Sequence, residues 1–187
     1  MRYAGINYND MNAAPGISVS VFLQGCPHHC KGCHNPETWS FDGGKDFTFE
    51  VMQQIIEGLK ANGITRSLAI MGGEPLCEQN SFLTSMIIEE VKKHLPDVKI
   101  YIWSGYTHEE LKKKNDPHVR RSLELADWLI DGPYIEELRD ITLPMRGSSN
   151  QTIICLKEKE DGRDNSDCTH KTFRCRKNGC FRKKEHR

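Results

Sequence analysis

The sequence predicts an α/β protein with a mostly parallel sheet. Short apolar stretches typical of strands alternate with amphipathic stretches typical of helices, which is the pattern of strand–helix–strand units. The chain has 187 residues, a length that fits one domain with a short extension. The strand–helix units are too few for a complete eight-stranded barrel, so that fold is excluded.

Three elements are predicted in the first half of the chain. Residues 17–25 alternate apolar and polar side chains, as a strand does. Residues 49–61 place apolar side chains three to four positions apart, which predicts an amphipathic helix that ends at Gly63. Residues 67–71 form a short apolar run that stops at a pair of glycines, and we expect a buried strand there.

The second half continues this alternation. A helix is expected to begin at an Asn80 or Ser81 cap and to end before Pro96. The later elements are predicted as a strand at 98–103, a short helix at the capping-box pair Thr107 and Glu110, a helix opened by Asp116 and Pro117, and strands at 128–131 and 151–156.

Charge divides the chain into two parts. The whole sequence has 26 basic and 26 acidic residues, but eight of the basic residues and one acidic residue lie within residues 168–187. That segment therefore carries a net charge of +7, and the residues before it carry −7. We predict a domain over residues 1–156 and a basic extension over residues 157–187.

The extension contains three cysteines of its own, Cys168, Cys175 and Cys180, with His170 and His186 nearby. Its composition favours a disordered basic tail whose thiols have no shared role. The alternative is a small zinc site built from the three cysteines and one histidine, although their spacing matches no common zinc finger.

No apolar run approaches the length of a membrane span, and the first residues lack the apolar core of a signal peptide. We therefore expect a cytoplasmic protein with no membrane partner. In the cytoplasm structural disulfides are rare, and grouped cysteines more often bind metal or react. This expectation disfavours a disulfide in the cysteine-rich stretch near the start of the chain.

That stretch places Cys26, Cys30 and Cys33 directly after the first predicted strand. A structural zinc ion would need a fourth ligand, for example a histidine of the same loop. The letters CKGCH also match a haem-attachment motif, but haem would leave Cys26 unexplained. An iron–sulfur cluster fits better, because three cysteines can bind a 4Fe–4S cube and leave one iron open.

Further polar and glycine-rich segments follow the other predicted strands. In parallel sheets the functional groups gather at the carboxyl ends of the strands. The segments expected to meet at that edge are Cys26–Asn35, Gly72–Pro75, Ser104–Tyr106 and Asp131–Pro133.

The motif C-x3-C-x2-C after one strand and GGEP after the next resemble the radical S-adenosylmethionine enzymes. The stretches CPHHCKGCHNPETW, ADWLIDGPYIEELRD and RGSSNQ are similar, more narrowly, to the activating proteins of anaerobic ribonucleoside-triphosphate reductase, which are glycyl-radical activases. The resemblance covers roughly residues 1–156. It implies an incomplete β/α barrel of the radical S-adenosylmethionine type.

The resemblance also implies the site. Cys26, Cys30 and Cys33 would ligate a 4Fe–4S cluster, and its open iron would take the amino and carboxylate groups of S-adenosylmethionine. The glycines of GGEP would allow close approach of that cofactor, and no catalytic side chain beyond cluster and cofactor is implied. Contacts to S-adenosylmethionine are then expected from Gly32, Cys33, His34, Gly72, Gly73, Glu74, Ser104 and Asp131.

The implied activity is reductive cleavage of S-adenosylmethionine, with the 5′-deoxyadenosyl radical generating a glycyl radical on the reductase. The implied partners are the glycyl-radical subunit and a small electron donor such as flavodoxin, and no nucleic acid is expected. Two alternatives stay open, namely an activase of another glycyl-radical enzyme such as pyruvate formate-lyase and a zinc-containing nucleic-acid-binding module. The sequence leaves the roles of Arg146 and the RGSSNQ loop open.

Overall fold

The computed structural model describes residues 1–157, and these residues form one compact unit. The two interpretations of the basic extension fall on residues 158–187, outside the described residues, so they stay predictions, as does the domain boundary. Among residues 1–157, no helix combines the length and the apolar character that crossing a membrane requires.

Within the described residues, seven strands form one open sheet in the order β3-β1-β2-β4-β5-β6-β7. The strands are β1 (Arg2–Asp10), β2 (Ile17–Leu23), β3 (Lys45–Asp46), β4 (Arg66–Gly72), β5 (Ile100–Trp103), β6 (Trp128–Asp131) and β7 (Thr152–Cys155). The four central strands β2, β4, β5 and β6 run parallel. The expected α/β class and the parallel centre of the sheet are therefore confirmed.

The edges of the sheet depart from the prediction. Strands β1 and β3 were not expected, and β1 pairs antiparallel with both β2 and β3. Strand β7 was expected, but it pairs antiparallel with β6. Strand β1 escapes detection because Gly5, Asn7 and Asp10 interrupt its apolar residues, and its pairing with β2 contains two register shifts.

The helices agree with the sequence prediction. They are α1 (Phe49–Lys60), α2 (Ser81–His94), α3 (His108–Lys113) and α4 (Pro117–Leu125). Thr107 and Glu110 form the expected capping box of α3, and the Asp116 carboxylate accepts hydrogen bonds from two N–H groups at the start of α4. These local signals in the sequence therefore predicted where α3 and α4 begin.

The helices pack on one face of the sheet. Strand side chains such as Leu68, Ile70 and Ile102 are fully buried there against helix side chains such as Ile55 and Ile87. Burial of one such side chain contributes about 1.5–3 kcal/mol, so this packing holds the strand ends in place. The other face carries a smaller cluster, made of Ala14, Tyr101 and Ile130 with Trp103, Trp128, Met145 and Ile153 around it.

Candidate functional site

The predicted site segments meet at the carboxyl ends of the parallel strands, around a cavity of about 220 Å³. Gly32 and Asp131 do not line this cavity, although the sequence placed both at the site. The predicted residues that do line it are Cys26, Cys30, Cys33, His34, Gly72, Gly73, Glu74 and Ser104. The structure thus brings the cysteine loop and the GGEP loop together at one cavity, although the two are about 40 residues apart in the sequence.

The cysteine loop, residues 26–35, leaves β2 and is anchored at its beginning. The Cys26 N–H donates to the carbonyl of Trp39 at 3.0 Å, and the Cys33 N–H donates to the carbonyl of Cys30 at 3.1 Å. All three thiols are free and half-buried. Burial raises the pKa of Cys26 and of Cys30, so binding a metal there must displace their protons.

The arrangement of the three cysteines bears on the kind of metal group that they could hold. No group of three histidine, cysteine, aspartate or glutamate side chains among residues 1–157 is arranged to hold one metal ion. A 4Fe–4S cube needs a different arrangement, because each cysteine binds a separate iron and the sulfurs stay apart. The three half-buried thiols line one cavity.

The GGEP loop passes very close to the backbone of β2. Gly72 has φ +103°, a conformation that favours glycine, and an added Cβ would lie 2.8 Å from the Leu23 nitrogen. A Cβ at Gly73 would overlap the Gly25 carbonyl. The Gly73 N–H donates to the Leu23 carbonyl at 2.9 Å. The two glycines therefore have a packing role that does not depend on any cofactor.

Glu74 is buried, and its hydrogen bonds connect the loops at the carboxyl edge of the sheet. Its Oε1 accepts from the Leu76 N–H and from the Ser104 hydroxyl, both at 2.9 Å. Its Oε2 accepts from the Gly105 N–H at 2.6 Å and lies 3.0 Å from His28 Nε2. The resemblance implied a contact of Glu74 with the cofactor, and the structure gives its carboxylate four partners within the protein.

Asn80 reinforces the same junction. The sequence identified it as a helix cap, but its side chain makes no capping hydrogen bond. Instead its amide donates to the carbonyls of Gln24 and Gly25 at 3.1 Å and of Glu74 at 3.0 Å. This buried amide therefore joins the end of β2 to the GGEP loop.

Three predicted residues lie at the margin of the site or away from it. Asp131 is buried, and its carboxylate accepts from the His108 N–H at 2.7 Å and from the Thr152 hydroxyl, which joins α3 to β7. Gly32 is exposed and lies against the Glu136 carboxylate. His34 is exposed and lines the cavity mouth, with its ring 6.4 Å from that of Tyr134.

The RGSSNQ motif builds another wall of the cavity. The Gln151 Oε1 accepts from the N–H groups of Gly147 at 2.9 Å and Ser148 at 3.2 Å, and its Nε2 donates to the Gly132 carbonyl at 3.0 Å. Gly132, Gly147 and Gln151 all line the cavity. Arg146 lies outside the lining and donates to the Gln151 carbonyl at 3.2 Å. The motif thus joins the loop after β6 to the start of β7.

Sequence reasoning did not assign several lining residues to the site. A histidine of the cysteine loop was considered only as a zinc ligand, but His28 lines the cavity, and its position between two cysteines was the available signal. Trp103 was predicted only as the last residue of a strand, and it lines the cavity while its indole N–H donates to the Met145 carbonyl at 2.9 Å. Tyr134 lines the cavity too, and its hydroxyl donates to Glu136 at 2.6 Å.

Comparison with known proteins places this geometry in a family. Residues 13–154 match the family model described as a 4Fe-4S single cluster domain. A relative from Haemophilus influenzae is 39% identical over 158 residues, which cover 84% of this chain and 99% of the relative. One from Vibrio cholerae is 39% identical over 145 residues, covering 77% and 91%.

A phage relative shows the same similarity. The protein from Enterobacteria phage T4 is 34% identical over 153 residues, covering 82% of this chain and 93% of its own. All three relatives carry the name anaerobic ribonucleoside-triphosphate reductase-activating protein.

Proposed function

The chain belongs to the family of anaerobic ribonucleoside-triphosphate reductase-activating proteins, and we propose that it activates such a reductase through S-adenosylmethionine chemistry at a 4Fe–4S cluster. The observation that carries the proposal is the shared cavity. Three cysteines and the GGEP loop, which the sequence separates, line one space at the carboxyl edge of the sheet. We interpret the open sheet as a partial barrel of the radical S-adenosylmethionine type.

In this proposal Cys26, Cys30 and Cys33 would hold the cluster, which would leave one iron open to the amino and carboxylate groups of S-adenosylmethionine. When bound, the cluster would supply the electron that cleaves S-adenosylmethionine to methionine and a 5′-deoxyadenosyl radical, and that radical would take a hydrogen atom from a glycine of the reductase. No acid–base pair or nucleophilic side chain is required for this chemistry.

The chain's own residues shape and shield the space. Gly72 and Gly73 line the cavity at the β4 end, which is the support for assigning them as cofactor contacts. Ser104 and Glu74 line the same cavity and bond to each other, so they present a fixed polar wall. Trp103 adds an aromatic side chain to the lining.

The proposed macromolecular partner is the glycyl-radical subunit of the reductase, because the relatives are named as activators of that enzyme. The same names favour this partner over another glycyl-radical enzyme such as pyruvate formate-lyase. A small cytoplasmic donor such as flavodoxin is proposed to deliver the electron. The match to a 4Fe-4S domain favours an iron–sulfur enzyme over a zinc-containing nucleic-acid-binding module.

Cluster reconstitution under anaerobic conditions tests the proposal. The wild-type protein should bind iron and sulfide and release methionine from S-adenosylmethionine when a chemical reductant is supplied. Cys30→Ala should lose both properties, because one of three protein ligands is removed. Cys155→Ser is the matched control, since Cys155 lies in β7 outside the cavity lining, and it should retain both. Methionine release by Cys30→Ala at the wild-type rate, or stoichiometric zinc in place of iron, would overturn the proposal.

A further inference from the structure

The middle of the cysteine loop depends on side chains for its position. Among residues 1–157, no backbone–backbone hydrogen bond connects residues 27–32 with a distant part of the chain. The Lys31–Glu137 ion pair reaches out of this span at 3.1 Å, but both side chains are largely exposed. Exposed pairs of this kind contribute little, so this contact alone cannot hold the loop.

His28 makes the better-buried connection. Its side chain is 20% exposed, and its Nε2 lies 3.0 Å from an oxygen of Glu74, which is 1% exposed. The ring also contacts Tyr106 edge-on, with 4.4 Å between the ring centroids. The His28 ring also lies close to Gly105, so a Cβ added to Gly105 would be 2.5 Å from a ring atom. The histidine therefore fits a socket formed by the loops after β4 and β5.

The socket itself is rigid. Glu74 is held by three other hydrogen bonds, from Leu76, Ser104 and Gly105. Lys114 Nζ lies 3.3 Å above the Tyr106 ring and donates to the Leu76 carbonyl at 2.8 Å. A side chain inserted here is fixed against buried partners, and buried hydrogen bonds are stronger than exposed ones.

The backbone of His28 faces the first cysteine. The N–H groups of His28 and His29 lie near the Cys26 sulfur. Such N–H donors to sulfur also make a bound iron–sulfur cluster easier to reduce. The side chain of His28 thus anchors the same residue whose N–H group points at a proposed cluster ligand.

We propose that His28 is a positioning residue: its hydrogen bond to Glu74 holds the Cys26–Cys30 span in the conformation that the cluster requires and keeps the N–H donors aimed at the Cys26 sulfur. This inference rests on the proposed function in one respect, namely that the cysteines hold a 4Fe–4S cluster. It assigns His28 no proton transfer and no contact with the substrate.

His29 provides the natural comparison. It is the same residue type in the same loop, but it is exposed, and its ring lies 4.9 Å from Trp39 rather than in the Glu74 socket. Its φ of +49° is a conformation that asparagine tolerates. His29→Asn therefore removes an imidazole from the loop without disturbing the connection to Glu74.

The test uses the full chain with its cluster reconstituted. His28→Phe keeps an aromatic ring against Tyr106 and removes the bond to Glu74, whereas His28→Gln keeps a donor that can reach the same carboxylate. We expect His28→Phe to lose iron to a chelator about tenfold faster than the wild type, as is typical when a residue supporting a metal ligand is removed. Its cluster should also have a more negative midpoint potential. His28→Gln and His29→Asn should stay close to the wild type in both measurements.

Several results would overturn the inference. Iron loss and potential equal to the wild type in His28→Phe would do so, as would equal defects in His28→Phe and His29→Asn. Should the Phe variant fail to fold, which the melting temperature of the apoprotein reveals, His28→Asn is too short to reach Glu74 and has the same expected outcome. A wild-type protein without a 4Fe–4S cluster would instead refute the proposed function, so the two failures are distinguishable.

Discussion

The loops of residues 72–77 and 26–35 both contribute residues to the lining of one cavity, but their surroundings differ. In the first loop every residue from Glu74 to Cys77 is buried, whereas no residue of the second loop is buried. The first loop is joined to β2 through the Gly73 and Glu74 N–H groups and through the Asn80 amide. The protein's own contacts therefore fix the loop of residues 72–77. The cysteine loop is less well fixed by the protein, and we expect its position to depend more on what binds there.

The cysteines of the two regions illustrate the consequence. Cys77 follows the GGEP motif and is 2% exposed, and burial together with the charge of Glu74 raises its pKa to about 11. A thiol of that kind stays protonated at neutral pH and is a poor nucleophile and metal ligand. Cys26 and Cys30 are half-buried and line the cavity. The contrast supports the loop cysteines as ligands and Cys77 as a packing residue.

The largest difference between the two loops should appear when one polar side chain is removed from each. Glu74→Ala leaves the Leu76 and Gly105 N–H groups and the Ser104 hydroxyl without their partner in a buried place. Each such loss costs about 1–3 kcal/mol, so the apoprotein should lose at least about 3 kcal/mol of unfolding free energy in guanidinium titrations.

Lys31→Ala is the matched change in the cysteine loop, since it removes only the exposed pair with Glu137. It should leave the denaturation midpoint where it is in the wild type. Equal losses in Glu74→Ala and Lys31→Ala would show that the two loops are held equally firmly, and the contrast drawn between them would be wrong.

A smaller effect is expected from one added methyl group. Gly73→Ala places a Cβ on the Gly25 carbonyl, where the backbones of both loops must shift to make room. Overpacking of this kind costs about 1–3 kcal/mol, measured as a lower midpoint of apoprotein unfolding. Gly5→Ala is the control, because no atom lies within 4 Å of its added Cβ. A stable Gly73→Ala protein that fails only to bind S-adenosylmethionine would mean that the glycine serves the cofactor and not the packing.

The helices and central strands could be predicted because their signals are local. The capping box of Thr107 and Glu110 lies within four residues, and the apolar run of β6 has the bounds that the sequence indicates. The edge strand β1 could not be predicted, because its formation depends on pairing with β2 and β3 rather than on its own pattern.

The site residues show the same division. The cysteine and GGEP motifs are short and were found at once, and the structure brings them to one cavity. The role of Glu74 as a junction could not be predicted, since its partners Ser104 and His28 lie 30 and 46 positions away. Asp131 was expected at the cofactor because it ends a strand, but the direction of its side chain depends on α3 and β7. Contacts between distant segments have no local sequence signal.

The smallest effect on the cavity should come from removing the basic extension, and this experiment tests whether the cysteine loop is completed by the cluster alone. Every cavity-lining residue lies before residue 152, so a protein truncated after Lys157 should assemble its cluster and release methionine as the wild type does. The removed residues include the segment 168–187 with its net charge of +7, and their loss should reduce only the glycyl-radical yield in the reductase, measured by electron paramagnetic resonance. High salt should reduce the wild-type yield in the same way, because it screens the attraction between charges.

A full-length variant with Cys168, Cys175 and Cys180 changed to Ser keeps the charge and should behave as the wild type. If truncation or these Ser changes abolish the cluster signal, a cysteine of the extension completes the exposed loop, and residues 1–157 do not contain the whole iron site.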